Sequence, residues 1–165
     1  MKRLSVVSLG LAAVIIALDQ ATKALVRAYL PLHESRTVIP GLLDLTHVQN
    51  SGAAFGILNA VSFPHKAGVI ALVSTLALVS IAAFAAGLSP RQRLARIGLA
   101  LILGGAAGNL VDRLVAGVVV DFVDVYWRDY HFWAFNVADS AITVGVIGMM
   151  LDMLGVGNHR SVASP

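Results

Sequence analysis

The chain has 165 residues, of which 58% are hydrophobic and only 13% are charged, and its mean hydropathy is +0.82. Soluble domains average about 45–50% apolar and about 25% charged residues, so this composition excludes both an ordinary soluble domain and a disordered chain. The sequence contains no cysteine, which excludes disulfides, thiolate nucleophiles and cysteine-ligated zinc. The net charge is +3. The arginines of the chain lie in short segments between apolar runs, and this placement indicates a role in membrane topology rather than in nucleic-acid binding.

Four apolar runs predict four transmembrane helices, because a bilayer core about 30 Å thick needs about 20 mostly apolar residues per helix. The predicted spans cover about 4–29, 67–87, 94–112 and 136–154. The first run also has the basic start and apolar middle of a secretory signal peptide, but three further runs and the lack of a clear cleavage site favour a retained anchor. The whole chain, 1–165, is therefore predicted to be a single integral membrane domain.

Basic residues predict how the spans are oriented. They precede the first span, separate the second from the third, and follow the fourth: Lys2, Arg3, Arg91, Arg93, Arg96, His159 and Arg160. With four spans these segments share one side of the membrane, and the positive-inside rule makes that side cytoplasmic. Both termini are then cytoplasmic, and the connections at about 31–66 and 113–135 are outer loops.

The outer loops carry their own structural signals. Residues 43–48 alternate between apolar and polar, which predicts a strand, and Asn50–Gly52 is a turn signal. Residues 118–125 predict a second extended segment. An aromatic cluster typical of a membrane interface precedes the fourth span, namely Trp127, Tyr130, Phe132, Trp133 and Phe135.

Ionisable and amide side chains beside the apolar spans need a partner or a function. Asp19 and Lys23 are four residues apart on one helix face, so they form either a structural ion pair or a brace for a site. Asn109, Asp112 and Arg113 share a helix face at the predicted outer boundary. The last two can also mark only the end of the helix.

Asp121 and Asp139 lie on either side of 17 outer-loop residues that can fold back and bring both carboxylates to one membrane depth. Two carboxylates that share a proton can hydrolyse a peptide bond without a metal or a thiol. Asp139 can instead be a simple helix cap at the start of the fourth span. The five histidines are scattered and show no metal-binding spacing, so no metal and no cofactor are predicted.

Two non-enzymatic hypotheses compete with hydrolysis. A small channel or transporter subunit would line a path across the bilayer with its polar residues. An assembly protein would use an acidic cluster only for packing and topology. The polar residues argue against a path across the bilayer, because they map to the predicted outer boundary, namely Asp112, Arg113, Asp121, Asp124 and Asp139. The assembly hypothesis stays open, and Asp121→Asn separates it from an enzyme, because only a structural partner would lose stability.

Five segments, in this order, resemble the motif set of bacterial lipoprotein signal peptidases, also called signal peptidase II. They are Asp19–Lys23 (DQATK), Asn50–Gly56 (NSGAAFG), Gly104–Arg113 (GGAAGNLVDR), Val120–Asp124 (VDFVD) and Phe135–Ala141 (FNVADSA). One such motif is weak, but five in order with matching spans and chain length are specific. Only the tail, roughly 155–165, carries no signature of the family.

The resemblance implies a fold and an activity. The fold is an all-α membrane protein with four transmembrane helices, a small extracytoplasmic β-cradle and a periplasmic loop helix, in the bacterial inner membrane. The activity is that of an aspartyl endopeptidase, which removes the signal peptide from diacylglyceryl-modified prolipoproteins by cutting just before the lipidated cysteine. The implied partners are these substrates, membrane lipid and globomycin-type inhibitors, with no cofactor and no nucleic acid.

The resemblance also implies roles for particular residues. Asp121 and Asp139 would be the catalytic pair. Nine residues would bind substrate or support the site: Asp19, Lys23, Asn50, Gly52, Gly105, Asn109, Asp112, Arg113 and Asn136. Among them the two asparagines of the later motifs would orient the carboxylates, and the arginine, supported by Asp112, would hold substrate carbonyls. The glycine-rich turn at Asn50–Gly56 is further hypothesised to be a mobile lid.

Overall fold

A computed structural model of the chain describes residues 5–52, 63–89 and 92–155. Several predicted features lie outside these ranges. They are the first residue of span 1, the second half of the predicted lid (53–56), the C-terminal tail beyond 155, and the basic residues Lys2, Arg3, Arg91, His159 and Arg160.

Four long helices make up most of the described chain. They are α1 (Val6–Tyr29), α2 (Lys66–Gly87), α3 (Arg93–Ala116) and α4 (Val137–Met153). The first three are long and apolar enough to cross a membrane, whereas α4 has 17 residues, so its spanning stays a prediction. The bounds follow the predicted spans closely except in α3, which continues one turn beyond the expected boundary at 112. Asp112 and Arg113 therefore do not mark the end of their helix.

The helix ends have identifiable causes. The Ser5 hydroxyl accepts a hydrogen bond from the Ser8 amide at 3.1 Å and caps α1. Pro31 follows the last turn of α1 and prevents its continuation. Gly117 ends α3 in the left-handed conformation, with φ of 73°, which glycine adopts without a steric penalty.

Helix α3 lies at the centre of the bundle and packs against the three other helices. A Cβ atom built on Gly104 would lie 2.8 Å from Ile15, and one on Gly108 would lie 2.6 Å from the Asp19 carboxylate. Both glycines thus let α1 approach α3 closely, as small residues at helix interfaces do.

The two outer connections form one antiparallel sheet in the order β1-β2-β3-β4. Its strands are β1 (Ser35–Ile39), β2 (Leu43–Asn50), β3 (Val119–Trp127) and β4 (Tyr130–His131). The predicted extended segments at 43–48 and 118–125 are confirmed as β2 and β3, whereas β1 and β4 were not predicted. The described parts of these connections contain no helix to match the implied periplasmic loop helix.

The sheet is attached to the helices at one end. Asn50 pairs with Val119 where β2 ends and β3 begins. Val26 and Leu30 of α1 pack with Val120 and Phe122 of β3 in a buried hydrophobic cluster. The start of β3 therefore lies against the C-terminal end of α1, directly after α3, and this placement builds the polar site described next.

Candidate active site

Asp121 lies on β3 and is only 3% exposed. Its Oδ1 accepts a hydrogen bond from Asn136 Nδ2 at 2.7 Å, and its Oδ2 accepts one from Asn50 Nδ2 at 3.2 Å. Burial raises the pKa of Asp121 to about 7, and the nearby charge of Asp139 raises it further, against the lowering effect of the hydrogen bonds and of Lys23. A proton is therefore held on this carboxyl far more readily than on an ordinary aspartate.

Asp139 occupies the third position of α4 and completes a capping box with Asn136. The Asn136 amide N–H donates to Asp139 Oδ2 at 3.3 Å, and the Asp139 amide donates to Asn136 Oδ1 at 2.9 Å. The other carboxylate oxygen, Oδ1, accepts a hydrogen bond from Asn109 Nδ2 at 2.8 Å. The helix cap therefore also positions the site residue, because it holds the Asp139 carboxylate at the start of α4 and leaves its Oδ1 facing α3.

Asn109 and Asn136 join the two carboxylates. Asn109 Oδ1 accepts hydrogen bonds from Asn136 Nδ2 at 3.2 Å and from Lys23 Nζ at 2.8 Å. Since an ammonium group can only donate, the oxygen of the Asn109 amide must face Lys23 and its nitrogen must face Asp139. One buried ammonium thereby fixes the direction of the amide that holds the Asp139 carboxylate.

Asp19, Lys23, Arg27 and Asp112 form a second group, which we call the ion cluster. Lys23 Nζ lies 2.8 Å from Asp19 and 2.9 Å from Asp112, and the side chains of Lys23 and Asp19 are fully buried. Arg27 Nη2 lies 2.8 Å from Asp112 and is 38% exposed. The ion pair predicted within α1 is present, and its ammonium group also binds Asn109 of the site.

The ion cluster reaches beyond α1 and α3 to the elements that carry the candidate catalytic residues. Asp19 Oδ1 accepts a hydrogen bond from the Ala138 amide of α4 at 3.0 Å. Asp112 Oδ2 accepts one from the Val120 amide of β3 at 3.4 Å. Asp112 thus binds α1 and β3, while its neighbour Arg113 lines the cavity described below.

Two members of this network were not assigned a role from the sequence. Gln20 Nε2 donates towards Asp19 at 3.1 Å, Asp112 at 3.3 Å and the Gly108 carbonyl at 3.1 Å. Arg27, as noted, binds Asp112. The spacing of Arg27, four residues after Lys23, could have revealed it, because residues four apart share a helix face.

Gly105 sets the distance between α3 and α4 beside the site. A Cβ atom at this position would lie 2.8 Å from Ile142 and would also meet the Ala138 carbonyl of α4. Any side chain would therefore push α4 away from α3 and move Asp139 with it. Gly105 therefore lies at the close contact between α3 and α4 beside the site.

Asn50, Gly52 and Arg113 form the edge of the site on the sheet side. The Gly52 amide donates to Asn50 Oδ1 at 2.9 Å, which closes a tight turn after β2. Arg113 Nη2 donates to the Gly52 carbonyl at 3.3 Å. All eleven residues singled out from the sequence therefore lie in one connected region of the molecule.

A cavity of about 750 Å³ opens at the two carboxylates. Its polar end is lined by Asn50, Asn109, Arg113, Asp121 and Asp139. Its apolar wall comes mostly from α2 and α4, with Val69, Ile70, Val73, Ala77, Ile142 and Val144. Within the described ranges no three histidine or acidic side chains are grouped so as to hold a metal ion.

The arrangement offers a buried carboxylate, Asp121, and a half-buried one, Asp139, beside an apolar groove in a membrane protein. One carboxyl has a pKa near neutrality, so the pair can hold one proton while the other group remains a base. The groove can accept an apolar chain segment whose polar backbone reaches the carboxylates. These features fit hydrolysis of a bond in a substrate that is itself embedded in the membrane.

Comparison with known proteins identifies a peptidase family. The family described as signal peptidase (SPase) II matches residues 11–155. The lipoprotein signal peptidase of Geobacter metallireducens is 47% identical over 142 residues, which cover 86% of both chains, and that of Syntrophotalea carbinolica is 48% identical over 141 residues.

A solved structure agrees as well. A bacterial membrane enzyme determined by the in meso method at 2.3 Å resolution has a TM-score of 0.83 at 29% identity, covering 99% of this chain and 97% of its own. These likenesses favour the peptidase over the channel and assembly hypotheses, and they extend over the whole described fold. The chain belongs to the signal peptidase II family.

Proposed function

We propose that this membrane protein removes the signal peptide from diacylglyceryl-modified prolipoproteins as an aspartyl endopeptidase, with Asp121 and Asp139 as its catalytic dyad. The substrate class follows from the relatives, which are lipoprotein signal peptidases. The observation that carries the catalytic type is the pair of carboxylates that line one cavity, one buried (Asp121) and one half-buried (Asp139), each held by an asparagine amide. The cut would fall just before the lipidated cysteine.

The dyad would work with one shared proton. The ionised carboxylate accepts a proton from water as the water oxygen attacks the peptide carbonyl carbon, and the protonated carboxyl donates to the carbonyl oxygen. The tetrahedral intermediate then loses a hydroxyl proton to the ionised group while the other carboxyl protonates the leaving nitrogen. The C–N bond breaks, and the dyad again holds one proton.

The remaining site residues have positioning and binding roles in this proposal. Asn109 and Asn136 keep the carboxylates directed into the cavity. Arg113, Asn50 and Gly52 present N–H and carbonyl groups at its polar end, where they would bind the backbone of the peptide. The apolar wall of α2 and α4 would accept the apolar part of the substrate, which includes lipid chains and a hydrophobic signal segment. Globomycin-type inhibitors would occupy the same cavity.

The proposed topology has four spans. Helix α4 would be the fourth, since residues along it expose apolar side chains, among them Val144, Ile147, Leu151 and Met153. Its 17 residues span about 25 Å at ~1.5 Å per residue, which a bilayer accommodates by small local thinning. With the basic segments on the cytoplasmic side, the sheet and the dyad lie at the outer face, where the cleavage site of a translocated substrate emerges.

The test is cleavage of a diacylglyceryl-modified prolipoprotein by the purified protein in lipid. We expect Asp121→Asn and Asp139→Asn each to lower kcat by roughly 10²–10⁴-fold with little change in folding, because asparagine keeps the shape but cannot exchange the proton. Asp124→Asn is the matched control. Asp124 lies on the same strand, binds His131 at 2.8 Å and is absent from the cavity lining, so activity should stay within about threefold.

Two results would overturn the proposal. Wild-type protein that is folded in lipid and cleaves no lipidated substrate would refute the activity. Dyad variants that still cleave at the wild-type rate would refute the catalytic type while leaving the family's activity in place. Globomycin added to the wild-type reaction separates the protein's own activity from a contaminating protease, because only the former should be inhibited.

A further inference from the structure

The end of the sheet away from the dyad carries an exposed apolar surface, which we call the aromatic rim. It consists of Val38, Ile39, Leu42, Trp127, Tyr130, Phe132 and Trp133. These residues come from both hairpins of the sheet. Phe132 also lines the cavity at the carboxylates, and the other six residues have no part in that site.

The two hairpin turns form one continuous surface because they meet at the same end of the sheet. The Tyr126 amide donates to the Leu42 carbonyl at 2.9 Å, and the Gly41 amide donates to the Tyr126 hydroxyl at 3.1 Å. Trp127 pairs with Tyr130 across the β3–β4 turn. The β1–β2 turn, which the sequence did not associate with the aromatic cluster, therefore lies beside it.

The side chains of the rim are large and strongly exposed. Tyr130 is 75% exposed, Trp127 68% and Trp133 64%. A contiguous exposed patch of this kind marks an interaction surface rather than an ordinary water-facing surface. Tryptophan and tyrosine combine an apolar ring with a polar N–H or O–H group, and this combination is enriched where hydrocarbon meets lipid headgroups.

The position of the sheet favours lipid as the occupant. Only Gly117 and Val118 separate α3 from β3, so the sheet begins where a membrane-spanning helix ends. Phe132 of the rim also lines the cavity whose opposite wall includes Val73 of α2 and Val144 of α4. The rim is thus continuous with a groove between helices, one of which, α2, is apolar enough to lie in the bilayer.

We propose that the aromatic rim inserts into the headgroup region of the leaflet on the sheet's side of the membrane. Strand β3 runs directly from the rim at Trp127 to Asp121, so this contact fixes the height of Asp121 relative to the bilayer. Arg128 and Asp129 lie side by side at the turn and offset each other in charge. The attachment is therefore apolar, and it does not depend on the catalytic role proposed for Asp121.

Intrinsic tryptophan fluorescence can report on the rim, because both tryptophans of the chain, Trp127 and Trp133, lie in it. The purified full chain is reconstituted in phosphatidylcholine bilayers with and without bromine on the acyl chains, and tryptophan emission is recorded. We expect bromine near the carbonyl end of the chain to quench emission at least about twofold and bromine near the methyl end to quench less. Quenching should persist in molar salt, since screening weakens only charge interactions.

A pair of variants tests whether the β1–β2 turn belongs to the rim. Val38→Asn with Leu42→Asn keeps both tryptophans and should reduce quenching by brominated lipid. Val6→Asn is the control, because Val6 is also apolar and exposed but lies at the N-terminal end of α1, whereas the sheet lies against the C-terminal end of that helix. It should leave quenching unchanged.

Three outcomes would overturn the proposal. Emission from the wild-type chain that is quenched freely by acrylamide in water and not by brominated lipid would place the rim in solvent. Emission that changes with protein concentration instead of lipid would indicate a second copy of the chain as the occupant. Unchanged lipid quenching in the folded double variant would remove the β1–β2 turn from the lipid contact.

Discussion

The site contains two pairs of carboxylates that differ in their partners. In the ion cluster, Asp19 and Asp112 share the buried ammonium of Lys23 at 2.8 and 2.9 Å. In the dyad, Asp121 and Asp139 accept hydrogen bonds from asparagine amides and line a cavity. The first pair is held by a full positive charge and the second by neutral dipoles.

The same residue type, aspartate, thus stands in two different electrostatic surroundings within one site. A buried carboxylate beside a cation is stabilised in its ionised form and cannot readily take up a proton. An amide directs a carboxylate without supplying the charge that would force ionisation, so two neighbouring carboxylates reduce their repulsion by retaining a proton. The ion cluster therefore serves as a scaffold, and the dyad remains able to exchange protons.

The largest expected effect comes from removing the cation of the ion cluster. Lys23→Met leaves Asp19 and Asp112 buried without their shared ammonium, and we expect the free energy of unfolding to fall by about 3–5 kcal/mol. Arg27→Met is the control, because Arg27 is 38% exposed and its pair with Asp112 should contribute only about 0–1 kcal/mol. Unfolding by denaturing detergent in mixed micelles measures both losses. Equal losses would contradict the scaffold role assigned to Lys23.

The close approach of α1 to α3 can be tested next. Gly108→Ala would place a Cβ atom 2.6 Å from Asp19 Oδ2 and displace the carboxylate from Lys23, so we expect a loss of about 1–3 kcal/mol. Gly68→Ala in α2 is the control, since its Cβ would meet no atom within 4 Å apart from its chain neighbours and the backbone of its own helix, and alanine is the better helix former. The same detergent titration distinguishes them. A stabilised Gly108→Ala variant would show that α1 is free to move away.

Much of the fold and the membership of the site could be predicted from the sequence. Continuous apolar runs define four helices within a few residues, and the i, i+4 spacing of Asp19 and Lys23 identifies their ion pair. The strands β2 and β3 follow from alternation and β-branched residues. The eleven residues named from the sequence all lie in the connected region, although their catalytic and binding roles remain proposals.

The rest depends on tertiary contacts that have no local signal. Strand β1 is exposed along its whole length and β4 has two residues, so neither shows the alternation of a half-buried strand. The ion partners of Asp112 are Lys23 and Arg27, which come from α1, 85 or more residues earlier in the chain. Which carboxylate receives a cation and which receives an amide is decided only when the helices pack.

The pH dependence of cleavage tests the proton of the dyad. The pKa of Asp121 is raised to about 7, mainly by burial and then by the charge of Asp139. Because a raised carboxyl pKa means that the proton is lost only as the pH rises through that value, kcat/KM should fall above about pH 7, about tenfold per pH unit. This decrease, the alkaline limb of the pH profile, is measured from kcat/KM for prolipoprotein cleavage between neutral and alkaline pH. A flat profile in protein that remains folded would contradict the shared-proton mechanism.

The smallest expected effect concerns a single side-chain amide that binds the dyad, that of Asn50. Asn50 donates to Asp121 at 3.2 Å and lowers its pKa, so Asn50→Ala should raise that pKa and move the alkaline limb of kcat/KM upward by roughly half to one pH unit. Gln49→Ala is the control, because Gln49 is the exposed neighbour on the same strand and is not among the causes of the Asp121 shift. A higher KM with an unmoved limb would mean that Asn50 only binds substrate. An upward shift would show that a neutral dipole tunes the dyad, as the contrast with the ion cluster requires.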